Sequence, residues 1–454
     1  MSRLVYLVSI VGLMSCANRA KQSVSLYDSG DYKGAARVAD EGLARHPDDD
    51  GLWGMRIRAA LALGDANGVA DAYETYVSHR GEDDKELIRD LATATLGQAL
   101  ASPSARLKIA AIDAVAEIEL HALTEEVFQK LGDDDDRVAA SAAVAVLKGH
   151  PQAPQIADEM LRSENAEARK IAVDGIGKKI GKLAVADLET AGSDHDPRVR
   201  RAAIYWLGMI KDKDAVELMT KRLRDPDENV RAASAHALAR IGVGDLEALG
   251  KQALKDHALA VRLAGVELYV AAHRTDELVR LASDPDPMVA VQAAIAIKRP
   301  DLGAQAIERA IASEEWTVRA GAANVLVQAI GNPAAAQIAH RLMSDKVVAV
   351  QLAAARVLAH GGDPEAAKRV FAAALATPEG IAAAADLAAL GDASGSHALS
   401  SFVRDLKSSP EQRAAAAAAH RTARKVTPGL VAALADPNGL VRVEAAAALG
   451  MLSK

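Results

Sequence analysis

From residue 107 to residue 454 the apolar positions fall into paired stripes separated by short polar breaks. One unit shows the rule. Val230, Ala233, Ala237, Leu238 and Ile241 lie at i, i+3, i+7, i+8 and i+11, one face of a helix. Val216, Met219 and Leu223 stripe a preceding helix. Between them stands Asp225-Pro226-Asp227, where the proline stops the first helix and an aspartate can cap the second. Gly242 and Gly244 then close the unit. The pattern predicts a two-helix hairpin with an apolar face that it cannot bury alone.

That phrase returns as DPRVRRAAIYWLG (196–208), ALAVRLAGVELYV (258–270), EWTVRAGAANVLV (315–327) and NGLVRVEAAAALG (438–450). Its valine or a substitute falls at Leu107, Val138, Ala168, Val199, Val230, Val261, Val289, Val318, Val350, Ala382, Gln412 and Val441, with gaps of 28 to 32 residues. A fixed period of this length signals a stacked repeat architecture in which each unit shields the next. The expected fold is all-α, an α-solenoid or superhelix of helical hairpins.

These units resemble the HEAT family, in the short bacterial form shared with phycobilin-lyase-type repeats, over residues 103–454. The resemblance implies a ladder of hydrogen bonds along the stack, made by a turn aspartate and a helix arginine six residues later. Asp194 and Arg200, Asp225 and Arg231, Asp256 and Arg262, and Asp436 and Arg442 keep both members. Asp284 is followed by Ala290 and Asp345 by Gln351, so the ladder is expected to be interrupted in the middle. The implied role of these pairs is structural.

Residues 16–102 follow another period. In DSGDYKGAARVADEGLARHPDDD (28–50), Gly30, Tyr32, Ala35 and Pro47 stand at the spacing of a tetratricopeptide repeat, which the segment resembles. Trp53, Ala60 and Gly64 repeat Arg19, Leu26 and Gly30 at an interval of 34 residues. Two such hairpins and a further helix over 83–100 are expected, with a boundary near Ser102-Pro103.

The first residues combine one positive charge, Arg3, an apolar stretch from Leu4 to Met14, and the small Ser15 before Cys16. This is the layout of a secretory signal, and its apolar core is too short for a stable membrane span. Cys16 is the single cysteine of the chain. Leu13-Met14-Ser15-Cys16 resembles the lipobox of bacterial lipoproteins, which implies removal of residues 1–15 and acylation of Cys16. By the same resemblance Ala17 lacks the aspartate-type inner-membrane retention signal, so the expected place is the outer membrane, facing the periplasm. Several acyl chains on one residue anchor firmly where one alone is marginal.

Composition agrees with helix: half of the residues are apolar but only 3% are aromatic, and alanine, the best helix former, abounds. The formal charge of −7 is spread along the chain, with none of the basic patches that nucleic acid requires. The 12 histidines show no paired metal-ligand spacing, and no glycine-rich phosphate loop is present. Asp133 to Asp136 occupy a predicted inter-helix turn without the glycine and distal glutamate of a calcium loop, and read as a solvated cap. No catalytic residue, metal or cofactor is assigned.

A partner would touch the outward positions of the second helix of each unit, which run Asp113, Val144, Asp174, Tyr205, His236, Glu267, Ile295, Asn324 and Arg356. Tyr205, His236, Glu267, Asn324 and Arg356 are the candidate partner-binding residues, Tyr205 and His236 foremost, because aromatics are scarce here and serve as interface anchors. Trp206 aligns with Ala237, a packing position. Beyond Arg356 the row turns to Ala388, Ala418 and Ala447. The resulting expectation is a lipid-tethered, periplasm-facing scaffold or adaptor, not an enzyme, that binds proteins through an extended solenoid surface. The alternatives are a bilin-lyase-like enzyme on the same scaffold and a binder of cell-wall polymer. The sequence assigns no oligomeric state.

Overall fold

The computed structural model describes residues 19–454. The leader, the lipobox and Cys16 lie outside the described residues. Among the described residues there is no strand, and the chain is an all-α solenoid of stacked helical hairpins.

Capping sets the helix boundaries. Asp227 accepts hydrogen bonds from the backbone N–H groups of Asn229 (2.9 Å) and Val230 (3.1 Å), opening the helix Glu228–Ile241, and Gly242 ends it in the left-handed conformation (φ 73°). Asp196, Asn165, Asp286 and Asn438 cap their own helices in the same way. In these repeats the short polar residue before the repeating phrase is the start signal of the second helix, whereas Leu259–Ala271 and Trp316–Ile330 begin at Ala258 and Glu315 without a side-chain cap.

The described residues form two compact units, 19–124 with Gly380–Lys454, and Glu125–Glu379. The second unit is a continuous run of hairpins. Its second helices, Asp136–Ala145, Ala166–Ile180, Pro197–Ile210, Glu228–Ile241, Leu259–Ala271, Pro287–Ala296, Trp316–Ile330 and Val348–Gly361, lie side by side in chain order. Small residues let them approach: a Cβ added at Gly208 would stand 2.6 Å from the Cβ of Ala237 and 2.9 Å from its Cα. Val199, Val230, Val261, Val289 and Val350 are all buried, as the repeating phrase predicts.

The first unit joins the two ends of the described chain. It contains the helix pairs before residue 81, the helices Lys85–Leu100 and Ala105–Ile118, and the last hairpins. The final helix, Gly439–Leu452, packs on Lys85–Leu100, Ala105–Ile118 and Pro410–Ala423. Gly439 sits against Leu107 and Gly450 against Ile118, and Arg89 donates to the Ser453 carbonyl at 3.1 Å. A simple row would leave each hairpin to its sequence neighbours; here the last is covered by segments more than three hundred residues away. No described helix is long and apolar enough to cross a membrane.

Candidate functional site

The ladder residues come first, because they hold the second helices in register. Arg200 donates through Nε and Nη2 to Asp225 at 2.8 and 2.6 Å, and through Nη1 to the carbonyls of Asp194 and His195, each at 2.9 Å. Thus the arginine meets the aspartate six residues earlier through its backbone carbonyl, while its carboxylate partner belongs to the next turn, 25 residues ahead. The same geometry joins Arg169 to Asp194 and Arg231 to Asp256, each at 2.7 Å. Arg262 bonds to Asp286 (2.6 Å) rather than Asp284. Arg319 bonds to Asp345 and, in the first unit, Arg413 to Asp436. Arg442, in the last repeat, donates to the carbonyls of Asp436 and Pro437. The six-residue hydrogen bond therefore runs to the aspartate's backbone carbonyl, the bond along the stack runs to the carboxylate of the next turn, and Arg169, Arg319, Arg413 and Asp286 join the set. Reading arginine against aspartate about 25 positions later would have found most of them.

In the second unit the helices Ala166–Ile180 to Pro287–Ala296 enclose an open groove of ≈ 1110 Å³. Of the five candidate contacts, Tyr205, His236 and Glu267 line it together. They occupy one register of three consecutive repeats, so stacking aligns them. Tyr205 is 50% exposed and meets Trp206 edge-on, ring centroids 5.1 Å apart. His236 Nδ1 lies 2.7 Å from Glu267 Oε2.

Asn324 and Arg356 hold the same register in the helices Trp316–Ile330 and Val348–Gly361 and are exposed, but they do not line the groove. Trp206 is half-buried, its ring packed over Gly177 and its Nε1 donating to Asp174 Oδ1 at 2.9 Å, and it does not line the groove. Tyr269 is buried in a core with Val266, Leu278, Leu281, Val289 and Ala293.

The floor of the groove is nearly side-chain-free. Ala202, Gly208, Ala232, Ala233, Ala237 and Ala239 form it in part. Around this apolar floor stand Lys170, Asp174, Arg201, Asn229, Arg240 and Gln292. Both acids of the groove are engaged, Asp174 with Lys170 Nζ (3.1 Å) and the Trp206 indole, and Glu267 with His236. Arg201 and Arg240 are exposed, and among the described residues neither has a hydrogen-bond or ion-pair partner. A single outward register misses these two arginines. They lie four residues before Tyr205 and four after His236, which on a helix is the same face.

Nowhere among the described residues do three His, Cys, Asp or Glu side chains converge as metal ligands. The groove sets no nucleophile beside its histidine–glutamate pair. What it offers chemically is apolar contact, one exposed phenol, two unpaired guanidinium groups, two carboxamides and the exposed imidazole of His273.

Residues 153–239 and 186–270 match the family model described as HEAT repeats. This stretch of the chain is built of HEAT repeats, and it holds every lining residue of the groove except Ala271, His273, Gln292 and Ala296. No curated protein matches the chain. Among solved structures, an engineered protein is similar at 20% identity over 80% of this chain and 99% of its own, with a TM-score of 0.29. The complex of CpcE and CpcF of phycocyanin lyase from Nostoc sp. PCC7120 is similar at 16% identity, over 65% of this chain and 94% of that one, with a TM-score of 0.27. Human deoxyhypusine hydroxylase in complex with glycerol is similar at 19% identity, over 71% and 98%, with a TM-score of 0.28. At these scores the likeness goes no further than repeated helices.

Proposed function

We propose that this protein is a non-enzymatic scaffold or adaptor that grips an extended segment of a partner protein in the groove of Tyr205, His236 and Glu267. One observation carries the reading: residues chosen as outward contacts on three successive repeats converge on one open, apolar-floored groove. A surface of this size suits a peptide segment, whereas small-molecule pockets are mostly smaller and more enclosed. In this reading the segment before the array is tetratricopeptide-like and gives a second protein-binding surface. An acylated Cys16 tethers the body to the outer membrane, facing the periplasm, where it assembles an envelope complex without cofactor or nucleic acid.

The test is photocrosslinking in cells. Benzoylphenylalanine replaces Tyr205 in one variant and Leu183, an exposed leucine outside the groove, in another. A discrete higher-mass adduct at 205 and none at 183 is the expected result; a chain that runs alone from both overturns the adaptor reading. Mass spectrometry of the mature N-terminus checks the tether separately, with an acyl mass on Cys16 expected and an unmodified thiol refuting it.

A further inference from the structure

The geometry points to the chemical class of the partner: an acidic extended peptide, with two carboxylates four or five residues apart around an apolar or aromatic side chain. This deepens the proposal of the groove as a protein-binding site and rests on it. The argument is one of charge left over. The protein as a whole is acidic, with a formal charge of −7, yet within the groove every carboxylate is already engaged while the two guanidinium groups of Arg201 and Arg240 are unpaired among the described residues. A basic ligand would meet only occupied acids and two free cations. An acidic ligand completes both arginines with charge-assisted, bidentate bonds.

The spacing follows from helix geometry. Arg201 corresponds in register to Ala232 of the next repeat, and Arg240 lies eight residues beyond Ala232 on the same helix. At 1.5 Å per residue and 8–10 Å between packed helices, the two arginine Cα atoms stand about 15 Å apart. An extended chain covers that in four or five residues at about 3.3 Å each. Between the arginines the alanine floor and Tyr205 accept an apolar side chain, and the exposed Val270 continues that apolar surface on the following helix, Leu259–Ala271. The carboxamides of Asn229 and Gln292, which have no partner among the described residues, can pair with peptide N–H and C=O groups. A polysaccharide would want several stacked aromatic platforms, and Tyr205 is the one aromatic side chain lining this groove.

A library of random twelve-residue peptides is panned on the full chain and, in parallel, on Arg201→Glu/Arg240→Glu. Both side chains are exposed and unpaired, so the variant keeps its fold, checked by circular dichroism. The expected result is enrichment of peptides with paired Asp or Glu residues flanking an aromatic or aliphatic residue, on the native chain only. An enriched peptide should then lose about ten- to hundredfold in affinity when its acids become amides, and by a similar factor on the variant.

Enrichment of neutral or basic peptides that is abolished by Tyr205→Ala would overturn the acidic class and leave the groove as a peptide site. No groove-dependent enrichment, or capture of a sulfated polysaccharide in place of any peptide, would overturn both readings.

Discussion

Asp225 is the sharpest place to test whether the arginine ladder holds the repeats together. Its carboxylate is completely enclosed, and it receives Arg200 Nε (2.8 Å), Arg200 Nη2 (2.6 Å), the backbone N–H of Asp227 (3.1 Å) and, more distantly, Arg222 Nη1 (3.5 Å). Asp225→Ala leaves the nearly buried Arg200 guanidinium with only the carbonyls of Asp194 and His195. An uncompensated buried charge costs about 3–5 kcal/mol, whereas replacing both partners by apolar residues is near neutral. Arg200→Met/Asp225→Leu should therefore be much milder than Asp225→Ala. The half-exposed Arg198, paired to Asp196 and Glu167, supplies the control: Arg198→Ala should leave exchange in these helices nearly unchanged. Repeat arrays need not unfold in one step, so the assay is hydrogen exchange resolved along the chain. Exchange in the helices Pro197–Ile210 and Glu228–Ile241 should rise about a hundred- to several-thousandfold in Asp225→Ala, with a smaller change in Val348–Gly361. A rise below about tenfold, or a double variant as damaged as the single one, would refute the ladder as the inter-repeat tie.

Three further outcomes follow from the packing. Gly208→Ala forces a Cβ against both the Cβ and the Cα of Ala237 and should cost about 1–3 kcal/mol, of which Ala237→Gly in a double variant should restore only the part due to the Ala237 Cβ; equal melting temperatures of native chain and single variant would contradict the close approach. Truncation after Asn438 strips the helix Gly439–Leu452 from Lys85–Leu100 and Ala105–Ile118, so dye binding to exposed apolar surface and faster exchange across 85–118 are expected; unchanged protection there would mean that the ends do not support each other. His420 is fully buried, and burial pushes its pKa below the ordinary value despite the bond from Nδ1 to the Ala416 carbonyl. The unfolded ring takes its proton near pH 6.5 and the folded ring only at lower pH, so stability should fall as pH drops below about 6.5, by at most about 1.4 kcal/mol per unit from this group. His420→Gln should flatten that slope in urea titrations between pH 7 and 5, and an unaltered slope would clear His420 of the effect.

How much of this could be read from the sequence depends on how local the cause is. The hairpins were legible because their signals are short-range: Asp225-Pro226-Asp227 halts one helix and caps the next within three residues. Tyr205, His236 and Glu267 were legible as a row because stacking at a fixed period carries equal positions into line. Asn324 and Arg356 satisfy the same rule but fall outside the groove, which ends on the helix Pro287–Ala296 at Gln292 and Ala296. Arg201 and Arg240 needed the adjoining helical turns to be considered as well. The meeting of Arg89 with Ser453 was beyond reach, because it joins positions 364 residues apart and no local pattern marks it.

The interruptions of the ladder follow the same electrostatics as its rungs. In the second unit two helices carry alanine at the arginine position, Ala139 and Ala290, and in both cases the following turn has serine where aspartate would stand, Ser163 and Ser313. The serines keep the local job of that aspartate. Ser163 Oγ accepts the Asn165 N–H at 2.9 Å and Ser313 Oγ the Glu315 N–H at 3.2 Å, as Asp225 accepts that of Asp227. What is dropped is the charge, on both sides of the interface at once. An aspartate at either turn would be drawn into the stack with no guanidinium to meet it, and an arginine at 139 or 290 would lack its carboxylate; either half alone costs more than having neither. Arginine and aspartate are thus one unit of the design although about 25 residues separate them, and Arg319, which donates to the Ser313 and Glu314 carbonyls, resumes the ladder with Asp345 one repeat later.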